Sequence, residues 1–386
     1  MSHTNLDTSG ASLPHPPAQP DFSLDEFVVM EDEVLNVLQS LDTNKASGPD
    51  GISARILREA APIIASSLTD LINLSLRSHK FPTSWKRANV IALHKKNERS
   101  DVKNYRPTSL LCCVSKVMEK CIFKHVFNFL RDHSLITRFQ SGFVPNDSTV
   151  NQLVELYHLF SEALDHKKDV KCVFCDISKA FDKVWHKGIL FKLKQIGINN
   201  SLLLWFSSYL SHRQQRVVIN GCESSWGFVN AGVPQGSVLG PLLFLVYIND
   251  IVDVVNSNIR LFADDTTLYV TTDDINEGST ILNADLQSIM NWSHQWLITF
   301  SPPKTESLLA TLKHDTPVGP PLIMNNDVIT EVTAHKHLGV TFSQNLSWTN
   351  HILDICQKTS KRLDILTGLK NRLDRKSLEI MYFFLC

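Results

Sequence analysis

The chain has no surplus of positive charge. Its 38 Lys and Arg stand against 39 Asp and Glu, a formal net charge of -1, so the basic bias that advertises nucleic-acid binding is missing from the total. Long apolar runs are missing too: no stretch of ~18 residues is free of polar groups, which excludes an ordinary membrane-spanning helix. The opening stretch Met1 to Pro20 has neither a basic start nor an apolar segment, so no secretory signal is read there. These absences point to a protein made and kept inside the cell. Cysteine is sparse, 8 residues in 386, which is no disulfide framework, and inside the cell thiols stay reduced. Only Cys172 and Cys175 show a CxxC spacing, within Lys171-Cys-Val-Phe-Cys-Asp-Ile177. No second pair stands at zinc-finger spacing, so packed thiols are favoured over zinc.

What is present is an ordinary globular composition, 43% hydrophobic, in a chain long enough for two or three domains. The charges are unevenly placed. Lys80 to Arg106 carries eight Lys and Arg against Glu98 and Asp101, and Lys358 to Lys376 carries seven against Asp364 and Asp374. One such run alone reads as a solvated face; two runs flanking an acidic centre fit a channel with basic walls.

Along the chain, residues 1 to about 22 are rich in Pro, Ser and His and are expected to be a disordered tail, counted to residue 30 as a domain boundary. Val34, Val37, Leu38 and Leu41 recur at helical spacing, and the helix breaks at Asn44-Lys-Ala-Ser-Gly-Pro-Asp-Gly51. One amphipathic helix is expected through Ile56, Ile64, Leu68, Ile72 and Leu76. Ala88 to Leu93 reads as a strand delivering His94, Lys95 and Lys96. Residues 109–131 and 149–165 read as helices, and Val170 to Asp176 as a strand ending in a carboxylate, with a helix from about Lys187. Hairpins are expected over Arg216 to Val229, turning at Asn220-Gly221, and over Ile259 to Val270, with Ala263-Asp-Asp265 at the tip. Between them Gly232-Val-Pro-Gln-Gly236 opens a very apolar helix. Asp285 to Trp296 reads as a helix and Ser307 to Leu312 as a strand. Interleaved strands and helices with antiparallel hairpins make the fold class α+β.

The chemistry hangs on Asp176 and on Asp264 with Asp265. A carboxylate at the end of an apolar strand is costly unless its charge is compensated, and two adjacent ones repel. Mg2+ answers both problems, since it prefers carboxylate oxygens and keeps sites for water and phosphate. Two such ions ~3.5–4 Å apart serve phosphoryl transfer by positioning and charge neutralisation. Adjacent strand residues face opposite ways, so Asp264 is expected to join Asp176 on the metals, with Asp265 in a supporting or partial role. Taken alone, the pair reads as a solvated hairpin turn; the other motifs, read in order, change that.

In order, the chain reads Lys95-Lys96, Asn104-Tyr-Arg-Pro-Thr-Ser-Leu110, Phe139-Gln-Ser-Gly-Phe143, Phe174-Cys-Asp-Ile-Ser-Lys-Ala-Phe-Asp182, Gly232-Val-Pro-Gln-Gly-Ser-Val-Leu-Gly-Pro241, Phe262-Ala-Asp-Asp265, Pro303-Lys-Thr305 and His337-Leu-Gly-Val340. This series resembles the ordered motifs of non-LTR (LINE-type, jockey-like) retrotransposon reverse transcriptases, from about Lys45 to the last residue. The resemblance implies a right-hand polymerase: fingers over 31–168, a ferredoxin-like palm over 169–312, and the end of the palm with a truncated thumb over 313–386. It implies an RNA-directed DNA polymerase working on an RNA template, a DNA primer and dNTPs, with two Mg2+ ions (Mn2+ as substitute) on Asp176, Asp264 and Asp265. It makes Phe181 a steric gate against a ribose hydroxyl, the bland alternative being a core aromatic. Gln235 falls on a residue touching nucleotide and template, with glycines allowing close backbone approach. Lys95 and Arg106 fall on triphosphate-binding residues, suited by ammonium and guanidinium chemistry, and Lys304 on a proton donor to pyrophosphate. Copying at a nicked chromosome would place the protein in the nucleus.

Departures from the family pattern are Ser301-Pro302-Pro303 where an Asn is usual, and Thr108 for an Ile. No endonuclease segment is read before the fingers, and the apolar run Met381-Tyr-Phe-Phe-Leu-Cys386 reads as a thumb cut part-way. The competing readings are a catalytically silent nucleic-acid-binding fragment and, against Phe181 and the Phe-Ala-Asp-Asp string, an RNA-synthesising polymerase.

Overall fold

The computed structural model describes residues 6–16, 20–95 and 98–385; Lys96 of the Lys95-Lys96 pair and residues 1–5 and 17–19 of the expected tail lie outside them. From Pro20 to Met30 the chain is not a loose tail. Leu24 N–H donates to Gly197 O at 2.8 Å, Phe22 stacks on His133 and Phe27 on His125, and Val29 is buried. The Asn73 amide accepts from Val29 N–H at 2.9 Å and donates to Val29 O at 2.8 Å. Phe22, Phe27 and Val29 anchor this stretch, and further back Leu6 packs against the core and exchanges hydrogen bonds with the Asn230 amide at 3.0 and 3.3 Å.

Helices α1 (Glu31–Gln39), α2 (Ala54–Glu59) and α3 (Ala61–Arg77) follow. The single helix expected over the last two is interrupted at Ala60, because Pro62 in the first turn of α3 lacks the N–H that would continue the ladder. Strand β1 (Arg87–His94) then pairs antiparallel with β2 (Tyr105–Leu110). Residues 109–110 were expected in a helix; they end a strand, and helix α4 (Cys113–Asp132) begins later. Pairing of Ser109 and Leu110 with Val90 and Asn89 of β1 holds them extended, Cys112 is still non-helical at ψ 133°, and Pro107 is tolerated on β2 because that strand is a sheet edge.

After α5 (Thr149–Asp165) comes β3 (Asp169–Cys175), then α6 (His186–Gln195), α7 (Asn200–Leu210), β4 (Arg213–Ile219), β5 (Cys222–Glu223) and β6 (Gly227–Val229). β4 runs parallel to β1 and antiparallel to β5 and β6, turning at Asn220 and Gly221, both at positive φ, as a two-residue Asn-Gly hairpin requires. The apolar α8 (Leu239–Ile248) precedes β7 (Asn258–Phe262), β8 (Asp265–Thr272), α9 (Ile275–Gln295) and β9 (Glu306–Ala310). The remaining elements are β10 (Ile323–Met324), β11 (Asp327–Val328), β12 (Thr330–Val332), β13 (Ala334–His337), β14 (Val340–Ser343), α10 (Thr349–Leu369) and α11 (Arg375–Leu385).

The central sheet has the order β12-β9-β3-β8-β7, with β3 antiparallel to both neighbours. Every residue of β3 is buried, and strand alternation sorts them. Val170, Cys172 and Phe174 join one apolar cluster with Leu156 and Phe160 of α5. Val173 and Cys175 join the other, with Leu282, Leu286 and Ile289 of α9. The fold is therefore a mixed α/β one whose central sheet, antiparallel except where β12 runs parallel to β9, is covered on both faces. The same alternation settles the CxxC spacing: Cys172 and Cys175 face opposite sides, and burial pushes both thiols up to about 12, so they are packed thiols and no metal pair.

Candidate active site

β3 and β8 end together. Their register closes at Cys175 with Thr266, so Asp176 emerges one residue further on, beside the start of β8. β7 and β8 are joined by a two-residue turn, Ala263-Asp264, because Phe262 pairs with Asp265. Asp265 is thus the first strand residue, and the turn is one residue shorter than the three-residue tip expected. Ala263 has φ +55°, a left-handed conformation that costs a residue with a Cβ about 1–3 kcal/mol. That cost is tolerated only where surrounding structure holds the residue in place.

The charge of Asp176 reaches both Asp264 and Asp265. Desolvation, then the charge of Asp176, raises Asp264, while Arg106 and Lys95 pull it back down. Desolvation and the charges of Asp264 and Asp176 push Asp265 up to about 6; its side chain also opens to solvent, so screening trims the energetic consequence. Lys304 Nζ stands 3.2 Å from Asp176 Oδ2. The lysine is delivered by the short turn Pro302–Lys304, whose flanks also pin the backbone of Asp176. Ser301 N–H donates to Asp176 O at 2.9 Å, and Asp176 N–H donates to Thr305 Oγ1 at 3.4 Å. The Ser-Pro-Pro departure noted in the sequence leaves this turn formed.

Gln235 sits in the turn before α8. Its Nε2 donates to Asp182 Oδ1 at 2.9 Å, and its backbone O accepts from Ser109 N–H at 2.7 Å. The glycines beside it make close backbone contacts within the protein. A Cβ on Gly232 would lie 2.6 Å from Asp182 O, and one on Gly236 would lie 2.6 Å from Ser109 O, both at positive φ. Phe181 is half-buried, edge-on to Phe143 at 5.8 Å and stacked on Phe244 at 4.8 Å. Lys95 and Arg106 are exposed at facing ends of β1 and β2. The basic run around them is only partly a solvated wall, since Lys86 is buried. Asp176, Asp264, Asp265, Lys304, Lys95 and Arg106 therefore form one electrostatic cluster, while Gln235 and Phe181 are tied to it through Asp182 and the segment that follows Asp176.

Three residues in these contacts were given no role from sequence. Asp182 orients the Gln235 amide, and its own carboxyl is raised by desolvation. Glu119 of α4 accepts from Val238 N–H at 2.8 Å and Leu239 N–H at 3.2 Å, capping α8 from a distance. Gln140 accepts from Ala263 N–H at 2.9 Å.

Residues 93–342 match the family model described as "Reverse transcriptase (RNA-dependent DNA polymerase)". The chain belongs to the reverse transcriptase family. Among curated relatives, the "RNA-directed DNA polymerase from mobile element jockey" of Drosophila melanogaster is 33% identical over 344 residues, covering 87% of this chain and 37% of the relative. The "Probable RNA-directed DNA polymerase from transposon BS" of the same species is 31% identical over 358 residues, 88% of this chain and 38% of the relative. The jockey polymerase of Drosophila funebris is 29% identical over 360 residues, 90% and 39%. This reverse transcriptase chain thus spans less than two fifths of the curated relatives it matches. Its family segment holds all the clustered site residues, from Lys95 to Lys304.

Members of the family generally use divalent metal ions, and the donor chemistry here fits one. Asp264 and Asp265 are raised partly by other carboxylates, the repulsion a divalent cation would relieve. Among the described residues no group of three His, Cys, Asp or Glu side chains closes a metal cage.

Proposed function

We propose that this chain is the polymerase core of a jockey-like non-LTR retrotransposon reverse transcriptase, adding dNTPs to a DNA primer on an RNA template. The observation that carries the proposal is the meeting of Asp176 and Asp264 at the paired ends of β3 and the β7–β8 hairpin, with Lys95, Arg106 and Lys304 around them. In this reading residues 31–168 form the fingers, 169–312 a ferredoxin-like palm, and 313–386 the end of the palm and the beginning of a thumb.

Asp176 and Asp264 would hold two Mg2+ ions, with Mn2+ as a substitute and Asp265 in support. Bound there, the metals supply charge neutralisation for the attacking and leaving oxygens. The chain's own residues do the rest. Lys95 and Arg106 bind the triphosphate, whose charge their exposed cations match. Lys304 gives a proton to the departing pyrophosphate in this reading, which its position beside Asp176 supports. Gln235, its amide oriented by Asp182, contacts the incoming nucleotide and template. Phe181, held by Phe143 and Phe244, presents a ring against C2′ of the sugar. Reverse transcription at a nicked chromosome would place the protein in the nucleus.

The gate gives a direct test. Phe181→Ala should relax the preference for dNTPs over NTPs by about tenfold or more, equivalent to ~1.4 kcal/mol of lost repulsion, with dNTP incorporation retained. An unchanged preference in a folded variant would remove the gate, and equal use of NTPs by the unmutated chain would favour an RNA-synthesising polymerase.

A further inference from the structure

Of the Phe139-Gln-Ser-Gly-Phe143 string only Phe143 has a task in the reaction described above, yet residues 139–142 lie against the turn that carries Asp264. It runs alongside β7 as an added edge: Leu261 N–H donates to Phe139 O at 2.8 Å, and Ser141 N–H donates to Leu261 O at 2.9 Å, with Gln140 bridging Leu261 in parallel. Contact is closest at Gly142, where an added Cβ would stand 2.1 Å from Ala263 N. The Gln140 side chain is 5% exposed. Its Oε1 accepts from Gly142 N–H at 2.8 Å and from Ala263 N–H at 2.9 Å. Facing two donors, the amide has one workable orientation, since the reverse would set an NH2 group against two N–H groups.

Ala263 is the residue of the turn at positive φ, and Gln140 satisfies its N–H, buried against the Gln140–Gly142 segment. We propose that Gln140 is a positioning residue for the reaction: its amide oxygen locks Ala263 in the left-handed conformation and so aims the adjacent Asp264 toward Asp176. The proposal rests on the reading of Asp264 as a metal ligand. It assigns to a neutral residue 123 positions away from the turn the task of setting carboxylate geometry. A supporting partner of this kind typically changes metal affinity or activity by ~10–100-fold when lost.

The test uses the full chain without nucleic acid. Gln140→Met keeps length and volume but loses the acceptor; Gln140→Glu keeps an acceptor oxygen. Amide hydrogen exchange at Ala263 should speed by about tenfold or more in Gln140→Met while amides of 169–175 keep their protection, and Gln140→Glu should restore protection. Mn2+ binding, followed by electron paramagnetic resonance, should weaken by ~10–100-fold in Gln140→Met. Unchanged exchange at Ala263, or a rise shared equally by β3, overturns the lock. Faster exchange with Mn2+ binding intact in Gln140→Met, but weakened in Asp264→Ala, overturns the positioning role. Mn2+ binding untouched by Asp264→Ala would instead overturn the ligand reading, and the proposed aim toward a metal with it.

Discussion

Adjacent carboxyl groups on one hairpin have different surroundings here. Asp264 lies in the turn, within reach of the charges of Lys95 and Arg106, whereas Asp265 begins β8 and is raised to about 6 with no cation among its causes. A carboxyl raised in the folded state stabilises the fold while protonated. Its contribution is full below ~4, the unfolded value, and is lost as pH rises through about 6. The metal-free protein should therefore lose stability across this window. Asp265→Asn should flatten that slope and stabilise the metal-free protein near neutrality, as thermal unfolding in EDTA at several pH values would reveal. An unaltered slope would mean that Asp265 titrates like a free carboxyl. Asp176 and Asp264 were legible in sequence because a carboxylate ending an apolar strand or tipping a hairpin is locally anomalous. Gln140 and Glu119 carry no such anomaly: their partners lie 123 and 119 residues away, and only the folded chain brings them together.

At the scale of elements, α8 shows what periodicity conveys and what it omits. Its apolar sequence was readable as a buried helix, but its N-cap is Val238, which offers no side-chain cap. Glu119 supplies the cap across the core, with Tyr209 Oη also donating to it at 3.3 Å, and burial raises its carboxyl. Glu119→Ala should cost about 1–3 kcal/mol by leaving buried N–H groups unpaired, measured as a lower urea midpoint at constant slope. A loss under ~0.5 kcal/mol would show that water replaces the carboxylate there. The misjudged elements have separate causes. Pro62, a ring without an N–H, splits one expected helix into α2 and α3, whereas residues 109–110 are held extended by pairing with β1, a partner that nothing local encodes. The Asn220-Gly221 hairpin was legible because its turn chemistry is local; the parallel pairing of β4 with β1 was not, because nothing local encodes it.

Over the whole molecule, charge is balanced in sum and segregated in space, with cations gathered on carboxylates at one end of a sheet buried on both faces. The sheet supplies rigidity, so removing a carboxylate at its end should cost chemistry far more than stability. Asp264 is half-buried and not part of the apolar core. The most direct measurement is extension of a DNA primer on an RNA template with dNTPs and Mg2+, comparing the unmutated chain with Asp264→Ala at matched folded fraction. The account predicts Mg2+-dependent extension that falls by more than ~100-fold in the variant, beyond what loss of a merely supporting partner causes, with unfolding nearly unchanged. Extension that survives in a folded Asp264→Ala protein would contradict it.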